Sequence, residues 1–165
     1  MANQLKYYNI GVVFQEIPDE TTLSVNITNC PCHCPGCHSS YLWNDVGVSL
    51  DMSAIDSFAD RFGKGITCIS FMGGDANPEA VVELAQYVRK MYPHYKVAWW
   101  SGRQYVPSSV DRQVFDYIKV GPYLSHLGNL ESPQTNQRLM KRQVDGTFVD
   151  ITYRFWNKAN PPATV

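Results

Sequence analysis

No stretch of this sequence comes near the roughly 20 consecutive apolar residues that cross a bilayer as a helix, which excludes a helical membrane span and leaves no membrane partner to expect. Charge of one sign is equally scarce. Fourteen Lys and Arg stand against fifteen Asp and Glu, a net charge of −1, with no basic run. That removes the electrostatic footprint by which proteins hold nucleic acid, so no nucleic-acid partner is expected. The opening residues Met1–Tyr8 lack the basic-then-apolar pattern of a secretory leader. The expectation is a cytoplasmic protein whose thiols stay reduced. Repeats, low-complexity tracts and interdomain linkers are also missing. At 165 residues, with 44% hydrophobic and 18% charged side chains, the chain is expected to form one domain over 1–165, with the Asn160-Pro161-Pro162 tail frayed over 157–165.

What is present is concentrated. Of five cysteines, Cys30, Cys32, Cys34 and Cys37 fall within eight residues, while Cys68 stands apart. A disulfide framework takes dispersed spacings, an even count and an oxidising compartment, so a thiol-rich loop reads instead as a metal site. Within Cys30-Pro31-Cys32-His33-Cys34-Pro35-Gly36-Cys37-His38, the residues Cys30, Cys34 and Cys37 have the spacing C-x3-C-x2-C. Three thiolates so spaced can wrap three corners of a cubane iron–sulfur cluster, whereas a fully ligated ferredoxin cluster takes four. The remaining iron then stays open to a ligand, as catalytic metal sites keep a position free. Pro35-Gly36 fits such a loop, a fixed φ followed by a residue that lets backbone approach a ligand.

Other readings of the loop compete. Zinc sites usually separate two ligand pairs by a dozen or more residues, and here every ligand shares one loop. If Cys32 closed the fourth iron, the protein would be an electron carrier, but cysteines one residue apart strain that arrangement. Cys32 is therefore expected to point away from a cluster. Cys68, inside an apolar strand, is expected to be a buried packing residue.

Hydrophobic period places these residues on elements. Leu23, Val25 and Ile27 alternate with Ser24, Asn26 and Thr28, predicting a strand that runs into the cysteine loop. Ile55, Phe58, Ala59 and Phe62 recur at helical spacing, and a strand follows over Ile66–Phe71. Asn77-Pro78-Glu79 reads as an N-cap with proline at the first helical position. Further on, the pattern predicts a strand over Lys96–Trp100, a short helix over Ser109–Phe115, a strand over Tyr117–Val120, and a hairpin of Leu139–Gln143 with Thr147–Thr152 around Asp145-Gly146. Alternating strands and helices imply βαβ units with right-handed crossovers. The chain is too short for an eight-unit barrel of about 250 residues, so the predicted fold is α/β, a partial (open) βα barrel with a mainly parallel sheet. In such sheets ligands bind beyond the carboxyl ends of the strands, where the cysteine loop, Gly73-Gly74 and Ser101-Gly102 fall.

With Ser70-Phe71-Met72-Gly73-Gly74-Asp75 one strand after it, the cysteine loop resembles that of the radical S-adenosylmethionine (SAM) superfamily, and the resemblance spans most of the chain. More narrowly, Cys34-Pro35-Gly36-Cys37-His38, Trp99-Trp100-Ser101-Gly102, Thr135-Asn136-Gln137-Arg138 and the short length are similar to activating proteins of anaerobic ribonucleoside-triphosphate reductases, which are glycyl-radical enzymes. The resemblance implies a partial barrel of radical SAM type. It implies that Cys30, Cys34 and Cys37, as catalytic and metal-binding residues, ligate three irons of a [4Fe-4S] cluster whose fourth iron takes the amino and carboxylate groups of SAM. Gly36, Cys37 and His38 would flank SAM through their backbone, Gly73 and Gly74 would hold its amino group, and Asn136 would reach its sugar or carboxylate. An electron from a reduced flavodoxin or ferredoxin would break the sulfonium bond. The resulting 5′-deoxyadenosyl radical would take hydrogen from a glycine Cα of the partner reductase. An activase of another glycyl-radical enzyme, or another small radical SAM enzyme, is the neighbouring reading.

This chain departs from the wider pattern at two places. Gly36 stands before the third cysteine where much of the superfamily carries an aromatic residue, although reductase activases have glycine there. Lys119-Val120-Gly121-Pro122 lacks the aspartate and lysine that some activases have near the end of this strand, so no role of those side chains carries over.

Overall fold

The computed structural model describes residues 4–156. In chain order the elements are β1 (Lys6–Val13), β2 (Thr22–Ile27), β3 (Val48–Ser49), α1 (Met52–Phe62), β4 (Cys68–Met72), α2 (Pro78–Met91), β5 (Lys96–Trp100), β6 (Tyr117–Val120), β7 (Arg138–Arg142) and β8 (Phe148–Asp150). The strands form one sheet in the order β3-β1-β2-β4-β5-β6-β7-β8. Its centre, β2-β4-β5-β6, is parallel. The pairings outside that centre are antiparallel.

A mixed eight-stranded sheet with two α-helices among the described residues therefore replaces the expected radical SAM-type partial βα barrel and its mainly parallel sheet. The physical reasons lie at the two flanks. On one side β1 folds back antiparallel on β2 and carries β3 on its outer edge. On the other, the β7–β8 hairpin continues the sheet from β6, and its turn is the expected one. The order is linear, with β3 and β8 as edges, so nothing closes into a barrel. The β5–β6 crossover, expected to hold a helix over 109–115, has one 3-10 turn at Arg112–Val114. Asp111 caps that turn through Gln113 N, and the fully buried Phe115 ends it by entering the core. A single turn lacks the hydrogen bonds that offset helix nucleation.

Both helices form where the sequence places them, the first from its apolar spacing and the second at its Asn77-Pro78 cap. Asp51 accepts from Ala54 N at 2.9 Å to start α1, which buries Ile55 and Phe58. Asn77 accepts from Ala80 N at 3.3 Å ahead of Pro78, and α2 buries Val81, Leu84, Ala85 and Val88. Both helices pack on the strand residues Val25, Ile27, Phe71, Val97, Trp99 and Ile118. Burial of side chains this size stabilises by about 1.5–3 kcal/mol each. No helix among the described residues is long and apolar enough to cross a membrane. The frayed tail expected over 157–165 lies outside the described residues.

Because strand side chains alternate, the other face carries a different set. Strand register aligns Asn26, Met72, Trp100 and Lys119 in one row across β2, β4, β5 and β6. Below that row a second cluster contains Ile17, Cys68, Ala98, Tyr117, Leu139 and Ile151. Cys68 is fully buried there, as expected, and burial raises its thiol well above the usual range.

One glycine joins the two faces. Gly74 turns β4 into α2 at φ +88°, and a Cβ on it would lie 2.5 Å from Val81 Cγ2 in the core. Gly74→Ala is expected to destabilise by about 2–4 kcal/mol through left-handed strain and overpacking. A lower urea midpoint at unchanged slope is the readout.

Candidate metal centre

The loop leaving β2 is held in place by backbone bonds before any side chain acts. Asn29 N donates to Asn44 O at 3.1 Å and Cys30 N to Leu42 O at 3.0 Å, so the loop's start is pinned to the 3-10 turn Ser40–Trp43. His33 has φ 44°, and its ring stacks on Trp43 at 4.7 Å. Cys34 and Cys37 are the corners of a tight turn. Cys37 N donates to Cys34 O at 3.0 Å around Pro35-Gly36, with Gly36 at φ +77°. Proline followed by a positive-φ glycine is what such a turn requires. Ser39 N lies 3.4 Å from Cys37 Sγ, placing a backbone donor on that sulfur.

Cys30, Cys32, Cys34 and Cys37 all line one cavity of about 420 Å³. The row Asn26, Met72, Trp100 and Lys119 borders it from the sheet. The tryptophans at the end of β5 take opposite roles. Trp99 stacks on Phe115 at 5.5 Å and donates Nε1–H to Gly73 O at 2.8 Å, while Trp100 faces the cavity.

Of the residues implied for SAM, Cys37, His38 and Gly73 border this cavity. His38 sits 5.7 Å from the Tyr123 ring, which also lines it. Gly36, Gly74 and Asn136 are not part of the lining. Gly36 lies behind Tyr123, its Cβ position 3.4 Å from that ring, and Gly74 packs toward Val81. Asn136 Nδ2 donates to Pro122 O at 3.0 Å, and its Oδ1 is buried without a partner among the described residues. Gln137, the next residue, reaches the cavity instead. The resemblance pointed to Asn136 and not to Gln137, and which of two adjacent amides faces the cavity has no signal in the sequence.

Asp75 binds the loops together. It is 2% exposed, and its carboxylate accepts from Ser101 Oγ and from Gly102 N at 2.9 Å. Cys32 Sγ lies 3.8 Å from Asp75 Oδ2. A Cβ on Gly102 would lie 3.0 Å from that sulfur, so the bare glycine lets the β5 loop approach the cysteine loop without displacing Cys32. Cys32 thus borders the same cavity as the other thiols, turned onto Asp75. Its thiol also hydrogen-bonds to Cys30, which holds Cys30 down to about 6 and drives Cys32 upward, with burial and Asp75 adding to the rise. Lys119 is buried as well, its Nζ donating to Ser101 O at 3.1 Å and Gly121 O at 2.8 Å. Neither Asp75's bridging role nor the burial of Lys119 has a local sequence signal.

The donor set suits a cluster. Thiolates are its usual ligands, and the four cysteines of the loop line one cavity. Among the described residues, no three Cys, His, Asp or Glu side chains gather closely enough to hold a single metal ion. Over residues 20–144 the chain matches the family described as 4Fe-4S single cluster domain. Comparisons with curated proteins and with solved structures gave no match. The matched span starts just before β2 and takes in the cysteine loop, the row beneath the cavity, and Asp75, Lys119 and Gln137. On that match, the chain belongs to the 4Fe-4S single cluster domain family and is an iron–sulfur protein.

Proposed function

We propose that Cys30, Cys34 and Cys37 hold three irons of the [4Fe-4S] cluster, that SAM takes the fourth, and that the protein is an activase placing a glycyl radical on an anaerobic ribonucleoside-triphosphate reductase. The observation that carries this reading is the shared cavity: the thiol loop opens into about 420 Å³ of space, within the usual range of small-ligand sites. Its lining mixes aromatic and apolar faces, Trp100, Tyr123 and Met72, with the polar ends of Asn26 and Gln137. That mixture suits a ligand with a nucleoside at one end and an amino acid at the other. The Gly73 carbonyl already accepts from Trp99 and keeps a second lone pair for an ammonium group. Gln137 would serve the sugar hydroxyls.

Held by Cys30, Cys34 and Cys37, such a cluster would supply an electron, received from a flavodoxin or ferredoxin, for the reductive cleavage of SAM to methionine and a 5′-deoxyadenosyl radical. The chain's own residues would position the ligand. Trp100 and Tyr123 flank the space, and Asp75, 3.8 Å from Cys32 Sγ, would hold that thiol as a bystander to the cluster. One observation favours a second reading, since Cys32 borders the same cavity. With Cys32 as fourth ligand the cluster would be closed, and the protein would carry electrons.

Electron paramagnetic resonance on reconstituted, reduced protein separates the two readings. The expected result is a cluster signal that changes when SAM is added, together with 5′-deoxyadenosine in the products. An intact cluster indifferent to SAM, with no 5′-deoxyadenosine, makes the electron carrier the better account. Incubation with the reductase tests the partner: a glycyl-radical signal on the reductase is expected only with SAM present.

A further inference from the structure

A buried cation without an anionic partner costs several kcal/mol even after relaxation, and Lys119 is such a cation. The residue is 4% exposed and borders the thiol-lined cavity. Two of an ammonium's three N–H groups are taken, by Ser101 O at 3.1 Å and Gly121 O at 2.8 Å. The Trp100 ring lies 5.8 Å from Nζ. Among the described residues, no carboxylate stands within ion-pair distance of it. Burial lowers it to about 8, against the pull of the Asp75 carboxylate, so the charged form predominates at pH 7.

We infer that Lys119 is the fixed counter-charge of the iron–sulfur cluster, a positioning residue that raises the cluster's reduction potential, and that Asp75 opposes it. The inference rests on the assignment of the cluster to Cys30, Cys34 and Cys37. Reduction adds one negative charge to the cluster, and net charge around a cluster is one of the levers on its potential. A cation in the low-dielectric wall stabilises the reduced form more than the oxidised one. A carboxylate in the same wall does the reverse. Ser101 fixes both charges at once, its carbonyl accepting from Lys119 and its hydroxyl donating to Asp75.

The test is a redox titration, followed by electron paramagnetic resonance without SAM, of cluster-loaded wild type, Lys119→Gln and Asp75→Asn. At the wild-type midpoint, the ratio of reduced to oxidised cluster is expected to fall about tenfold in Lys119→Gln, equal to about 59 mV for a one-electron couple. In Asp75→Asn the ratio is expected to rise severalfold. Loss of packing alone does not give shifts of opposite sign. Should Lys119→Gln fail to fold, Lys119→Met keeps the apolar stem and carries the same expectation. Equal potentials in all cluster-loaded proteins, or shifts of one sign in both variants, overturn the inference and leave the ligand assignment standing. A wild type that takes up no cluster overturns the ligand assignment, and this inference with it.

Discussion

Cys34→Ala is expected to carry no cluster after anaerobic reconstitution: iron and sulfide per chain fall to background, and SAM cleavage disappears. Cys32→Ala is expected to keep most of both. The contrast follows from where the sulfurs sit. Cys34 and Cys37 are the two corners of the Pro35-Gly36 turn, so their spacing is set by one backbone hydrogen bond of 3.0 Å and by the positive φ of Gly36. Removing either corner leaves two of the three thiolates assigned to the cluster. Cys32 is held by Asp75 Oδ2 at 3.8 Å as well as by its hydrogen bond to Cys30, with Gly102 beside its sulfur. Equal loss of iron in the two variants would make Cys32 a ligand and close the fourth iron.

Trp99→Ala is expected to destabilise the fold by about 3–5 kcal/mol, a drop in melting temperature on the order of 10 °C for a chain this long. Trp99 is 1% exposed and among the largest fully buried side chains. Its loss opens a cavity beside Phe115 and leaves the Gly73 carbonyl without the indole N–H at 2.8 Å. Trp99→Phe keeps most of the packing and loses that donor, so a smaller cost of about 1–3 kcal/mol is expected. Thermal unfolding of the two variants beside wild type checks both values. A Trp99→Ala protein as stable as Trp99→Phe would mean that the aromatic stack contributes little.

Elements with strong local signals were readable from sequence. The Asn77-Pro78 cap marks the start of α2, and β6 spans the predicted Tyr117–Val120. β1 was not readable, because Tyr8 and Val12 are exposed while Ile10 is half-buried, so its sequence shows no clean alternation. The two residues of β3 are too short to carry a period. The barrel expectation failed for a related reason. Periodicity reports that a segment is a strand, whereas the sense of its pairing is decided by partners far away in sequence, as when β1 folds back on β2. The site divides along the same line. The thiol spacing is contiguous and therefore visible, but Asp75, Ser101 and Lys119 come from the ends of different strands and meet only through tertiary structure.

The alignment of Asn26, Met72, Trp100 and Lys119 across four strands makes the site a proofreading mark on the fold. A one-residue slip in a strand exchanges its faces, so a slipped β5 would send Trp100 into the core and turn Trp99 toward the thiols. Misregistered chains would lose core and cavity together, which makes cluster uptake a reporter of correct strand pairing. Neighbouring positions along each central strand answer to different demands, one to stability and the next to chemistry, and damage to either can be told apart by which of the two is lost.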